Sequence, residues 1–356
     1  MAYTSIDDPS AHFQIALYTG TGGADNSITN DGNSDLQPDW IWFKSRDAAH
    51  SHYVVDSSRG RALGLYPDGV NTEVTSSGST TDCQSFNSDG FTVGTPEDAN
   101  STNSSSSTKV AWQWKANSGT TSTNSDGDIN STVQVNSTAG FSIVQYSPAN
   151  NTARSIGHGL GATPQVVITR ARNRTEDWRV FHSSAGSTGS FTLNGDAAHN
   201  SSTVLHTGVT STTFGVGTDF SVNGAYNYIS YVFAEKQGYS QFGKYVGNGS
   251  TTSGPFVYTG FQPAFVMIKA VDATKNWVMF DNKRNFNGDM QYLYANTSAA
   301  EGESPSSGRH IDLLSNGFKI YDNWTLTNQS TINYSYMAFA KNPFVTSKGN
   351  PVTIIG

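Results

Sequence analysis

Charge is scarce in this chain. Only 14% of its 356 residues are Asp, Glu, Lys or Arg, the formal net charge is −7, and no Lys/Arg cluster occurs. Affinity for a phosphate backbone comes from neutralisation by basic side chains, so nucleic acid is an unexpected partner. No apolar run approaches the ~18 residues of a helical membrane span, which argues against membrane insertion. Met1–Ser10 is too polar for a secretory signal, so synthesis in a cytoplasm is expected. Cys83 is the single cysteine. An intrachain disulfide and a cysteine-rich zinc site are thereby excluded. Helical periodicity is absent as well, and the abundant Asn, Ser, Thr and Gly disfavour helix interiors.

What is present is a repeat. Pro38, Pro164 and Pro263 each precede an apolar run closed by a basic residue six positions on, at Lys44, Arg170 and Lys269. Fourteen positions on stand His52, Trp178 and Trp277, and eighteen positions on stand Asp56, His182 and Asp281. Each repeat later carries a buried-type Phe (Phe91, Phe214, Phe318) and then an aromatic closing strand: 110–114, 228–234 and 334–340. Short β-branched and aromatic runs bounded by Gly, Pro and Asn predict strands, those after each Pro covered on both faces. The alternation of Asn333, Ser335 and Met337 with Tyr334, Tyr336 and Ala338 predicts a closing strand with one wet face. The expected fold is all-β, with three tandem divergent β-sandwich units of jelly-roll or concanavalin-like type. Their bounds are 1–117, 140–237 and 238–356, with 118–139 a polar linker or loop. The last two units nearly abut and are expected to share an interface.

Few residues suggest chemistry. Gly238–Tyr245 has phosphate-loop spacing, but Tyr245 stands where the Mg²⁺-binding hydroxyl belongs and a strand follows. Gly157, Gly159 and Gly161 sit before Pro164 and fit a turn rather than a dinucleotide fingerprint. Asp56, His182 and Asp281 are the strongest acid/base candidates, yet they are equivalents in separate repeats, whereas a catalytic pair must converge on one substrate. Asp25, Asp31 and Asp35 are the best paired carboxylates for glycan hydrolysis. Together with Asp126 and Asp128 they offer oxygen ligands suited to Ca²⁺, without calcium-loop spacing. No catalytic residue, cofactor or metal is assigned. Trp40, Trp42, Trp178 and Trp277 read as core. Trp324, in the polar stretch from Asp322 to Thr327, is the candidate glycan-binding residue.

Several segments carry a family resemblance: residues 1–14, 17–20, 37–46, 56–60 and 111–115, with 260–263, 277–281, 283–284 and 338–343 in the third repeat. The chain resembles a repeat domain of virion proteins from marine tailed phages of the cyanophage and pelagiphage kind. Such proteins are described as tail fibres, structural proteins or lectin-like proteins. The resemblance implies a place on the virion exterior, after synthesis in a bacterial cytoplasm. The expected function is non-enzymatic: a tail-associated, fibre or capsid-decorating component. It would act through contacts with other phage virion proteins, as a homo-oligomer, with a trimer as the first expectation, and through host-surface glycans. A glycan-binding adhesin is the alternative, and a glycan-degrading enzyme a third. No heptad stretch or Gly-x-y run marks a fibre shaft, which favours a compact knob or decoration.

Overall fold

In a computed structural model, residues 3–76, 82–95, 102–284, 291–303 and 311–352 are described. Strand makes up about 42% of the protein and helix about 1%, so the fold is all-β. One short 3-10 turn, Pro9–Ala11, precedes the first strand.

Three large antiparallel sheets use the same order of strands. In the first, the opening strand Phe13–Thr19 pairs with the closing strand Thr108–Trp114, then come the proline strand Trp40–Ser45 and its follower Tyr53–Asp56. In the second the corresponding strands are Phe141–Tyr146, Tyr228–Phe233, Val166–Ala171 and Arg179–His182. The third uses Ser240–Val246, Asn333–Pro343, Phe261–Ala270 and Val278–Asp281. A small three-stranded sheet covers one face of each, carrying the fully buried Phe91, Phe214 or Phe318. Register repeats too. The residue two beyond each Pro pairs with an aromatic of the closing strand: Trp40 with Trp114, Val166 with Phe233 and Phe265 with Phe339.

Period-two alternation sorts side chains to opposite faces of a strand. On the proline strand of the first sheet, Ile41 and Phe43 enter a core shared with the small sheet, while Trp40 and Trp42 enter a second core. That second core is common to all three large sheets. At its centre Trp114, Phe233 and Phe339 form a triangle of edge-on contacts, with centroids 6.4, 5.6 and 5.6 Å apart. Trp40 stacks on Tyr231 of the second sheet at 4.2 Å. Burial of one such aromatic contributes about 1.5–3 kcal/mol, and edge-to-face geometry adds about 0.5–1.5.

Two expectations need correction, and a third is extended. Residues 118–139 are not a free linker. Ser122–Asn124 and Ser131–Asn136 extend the second sheet beyond its opening strand, because Val133 and Gln134 are buried against neighbours rather than solvated. The closing strand Asn333–Pro343 has no wet face along its centre: Ser335 and Met337 are buried, the latter in the shared core. Polarity on that face reflects contact with another sheet. Finally, the shared interface expected between the last two repeats exists between every pair of sheets.

Candidate functional site

The repeat-equivalent polar residues lie at the seams where the large sheets meet. His52, Trp178 and Trp277 each reach across a seam to a backbone carbonyl. Trp178 Nε1 donates to Tyr66 O at 2.8 Å, Trp277 Nε1 to Thr192 O at 2.9 Å, and His52 Nε2 lies 2.8 Å from Tyr294 O. Trp42 Nε1 donates to His52 Nδ1, so the proton sits on Nε2 and that nitrogen is the donor. The bonds run second to first, third to second and first to third, closing a ring.

The basic ends of the proline strands follow the same ring. Lys44 Nζ donates to Ser298 O, Arg170 Nη2 to Asn71 O and Lys269 Nζ to Asp196 O. Burial depresses both lysines to a pKa of about 8. Backbone bonds complete it, with Glu301 N to Arg46 O, Glu73 N to Arg172 O and His199 N to Val271 O.

Asp56, His182 and Asp281 do not converge, as their equivalence in the repeat requires. Asp56 accepts from Arg59 Nε at 2.5 Å and from Tyr231 OH of the second sheet at 2.8 Å. Asp281 accepts from Arg284 Nε at 2.6 Å and from Trp112 Nε1 of the first sheet at 3.0 Å. Burial opposes the charge of Arg59, but Asp56, Tyr231 and Glu73 outweigh it and hold the guanidinium above its ordinary range. His182 Nε2 bonds Tyr336 O at 3.0 Å, and its Nδ1 accepts from Ser184 N. Burial pushes its pKa down to about 4. Met337, two residues before Phe339, stands where Tyr231 and Trp112 stand in the other closing strands and has no donor to offer, which a neutral His182 suits.

The remaining candidates are scattered. Asp25, Asp31 and Asp35 are exposed, Asp31 forming a 2.6 Å ion pair with Lys283. Asp126 and Asp128 are bound by Asn124 and Ser155. Among the described residues no group of three or more His, Cys, Asp or Glu side chains could hold a metal ion. Gly159 and Gly161 take φ of +73° and +67°, the turn role expected of them, and most of Gly238 to Tyr245 is itself the opening strand Ser240–Val246. Trp40, Trp42, Trp178 and Trp277 are all buried. Trp324 is half-buried, with its ring 4.7 Å from Tyr292 on the edge of the third sheet's own core.

Two crevices open at the seams. One of about 180 Å³ lies between the first and third sheets, lined by Phe13, Gln14, Asp31, Asn33, Ala264, Asn282, Lys283, Lys341 and Asn342 among others. A second, of about 590 Å³, lies between the second and third, with Ser183, Ser184, Thr188 and Lys244 on its walls. Sequence reasoning missed the first. Its signal was the residue after each repeat proline, which changes from Asp39 to Gln165 to Ala264 while the flanking pattern holds.

Fold and seams together define an all-β protein in which three large sheets are welded about one aromatic core. The chain belongs to the family DUF7483, a domain of unknown function, whose model matches residues 8–343. No curated protein and no solved structure matches it.

Proposed function

We propose that this protein is a non-catalytic component of the exterior of a tailed-phage virion, either tail-associated or capsid-decorating. In this reading three copies of one β-sandwich unit, jelly-roll or concanavalin-like, close into a ring within one chain and present a surface to neighbouring virion proteins and host glycans. The observation that carries the non-catalytic part is the use made of the acid/base candidates. Asp56, His182 and Asp281 are each buried and spent on joining one sheet to the next. Side chains occupied three times over by one structural task are not poised for proton transfer to a substrate. The place on a virion rests on the resemblance of residues 1–14, 37–46 and 338–343 to marine phage virion proteins.

Assembly of several chains, a trimer in the simplest case, belongs to the proposal, since virion proteins act in symmetric sets. Light scattering at high concentration is expected to give a multiple of 38.1 kDa, and a monomer throughout would exclude self-assembly off the particle. Immunogold microscopy of intact phage tests the location. Label on the tail or head supports the reading and chooses between its forms; unlabelled particles with verified antigen overturn it. An adhesin role as the main function is favoured by the two crevices, and a glycan array with no binder would remove it.

A further inference from the structure

Asp39, Gln165 and Ala264 occupy one position in three settings. The residue nineteen beyond each repeat proline donates its N–H to this position's carbonyl at 2.8 Å: Ser57 to Asp39, Ser183 to Gln165 and Asn282 to Ala264. The side chains part company there. The buried Asp39 carboxylate accepts from Ala116 N at 2.7 Å, from Ser118 N and Gly119 N at 2.9 Å, and from Ser57 Oγ at 2.6 Å. Gln165 Oε1 accepts from Glu235 N at 2.6 Å. Ala116 and Glu235 each stand two residues beyond the central aromatic, Trp114 or Phe233. At the second–first seam the Gln134 carboxamide completes the filling: its oxygen takes Asn117 N and Gly119 N, and its nitrogen donates to Ser57 and Ser58.

In the third repeat the carboxylate is replaced by the methyl of Ala264, and among the described residues no strand corresponding to Ser131–Asn136 lies beside the first sheet's opening strand. The space stays open as the 180 Å³ crevice. Lys341 stands two residues beyond Phe339, where Ala116 and Glu235 stand in the other repeats. Asn282 and Lys283 replace Ser57 and Ser58.

We propose that this crevice binds a hexuronate, one monosaccharide bearing a carboxylate, with that carboxylate in the place Asp39 fills at the second–first seam. The carboxylate is argued from the repeat. Lys283, ion-paired with Asp31, and Lys341 both line the crevice that Ala264 borders, and charge-assisted bonds to a carboxylate are roughly twice as strong as neutral ones. The sugar deepens the glycan contact proposed above and rests on that reading. It is supported by the side-chain amides of Asn33, Asn282 and Asn342, which make no hydrogen bond with the described residues and so offer donors and acceptors to hydroxyls. Phe13, Ala264 and Ala340 supply apolar wall for a ring's C–H face. The volume falls short of the about 300 Å³ where sites for drug-sized ligands begin. One sugar residue enters, not a chain. Asp31, exposed and paired with Lys283, is the internal competitor for that ammonium.

Titration calorimetry with D-glucuronate and D-glucose on the full chain tests this. Wild type is expected to bind glucuronate and not glucose. Ala264→Asp restores an internal carboxylate and should weaken glucuronate by roughly tenfold or more, with the melting transition followed alongside so that binding is compared on folded protein. Asp31→Asn, an exposed change that does not threaten folding, should tighten it by roughly threefold. Equal binding of glucose would overturn the carboxylate assignment while leaving a glycan contact standing. Glucuronate binding unaltered in both variants would overturn the location, and no binding of either sugar by wild type would overturn the site.

Discussion

The second–first and first–third seams are each built around a buried carboxylate–guanidinium pair, and the third–second seam, which keeps the Lys269 ammonium, has no such pair among the described residues. At the first two, a buried Asp and Arg from one follower strand and its turn join a Glu further along the same repeat: Asp56, Arg59 and Glu73, then Asp281, Arg284 and Glu301. At the third, the corresponding residues are His182, Ala185 and His199. The cause lies across the seam. Tyr231 and Trp112 present an O–H and an N–H, so an acceptor carboxylate answers them, and that carboxylate requires a guanidinium beside it. Met337 presents no donor. The carbonyl of Tyr336 is what remains, so a neutral histidine donates to it and no arginine is needed. Four positions change together because a buried charge and its partner can be lost only as a set.

Breaking a charged seam should have the largest effect. Arg59→Met leaves Asp56 buried without its cation and should lower stability by about 3–5 kcal/mol in urea unfolding, against little change for a conservative substitution at Ala185. A loss under about 1 kcal/mol would show that the carboxylate finds another partner.

The third–second seam should reveal itself through pH. His182 titrates near its ordinary 6.5 when unfolded and at about 4 when folded, so the unfolded chain holds more protons between those values. Stability is therefore full above about pH 6.5 and falls as pH drops toward 4, by on the order of 3 kcal/mol from this residue. His182→Gln should reduce the difference between unfolding at pH 7 and pH 4.5. An unchanged difference would assign the acid sensitivity to His52 and His206, which burial also holds below their ordinary range.

A smaller loss is expected where all three seams are alike. Trp178→Phe removes the N–H bonded to Tyr66 O and should cost about 1–3 kcal/mol, as should Trp277→Phe at its own seam. Unequal costs would mean that the ring is not evenly loaded. Least of all, Trp324→Ala, outside the seams and half-buried, should cost roughly 1–2 kcal/mol and leave unfolding a single transition. Its readout of interest is a glycan array, where unchanged binding would end its candidacy.

Spacing made much of this legible. The strands after Pro38, Pro164 and Pro263, their followers and the closing strands all stand where alternation and turn residues place them, because strand pairing is written in local pattern and in offsets kept through three repeats. Asp56, His182 and Asp281 stand at one offset in the three repeats, and each bonds across a seam. The site was far less legible. Lys283, Lys341 and Asn33 are distant in sequence and ordinary in composition, and nothing local marks Ala264 as the absence of a carboxylate.

What the sequence determined by itself is the all-β class, the repeated strand spacing and the burial of Trp40, Trp42, Trp178 and Trp277, since these follow from a period of two and from a single chain segment's own chemistry. Only the tertiary structure decided that residues 118–139 would complete a sheet, that the polar face of the last closing strand would be buried, and that Trp114, Phe233 and Phe339 would meet. Those outcomes depend on which apolar face finds which. Burial is non-directional, so a strand's pattern says that a face must be covered and leaves the partner to the packing of the whole chain.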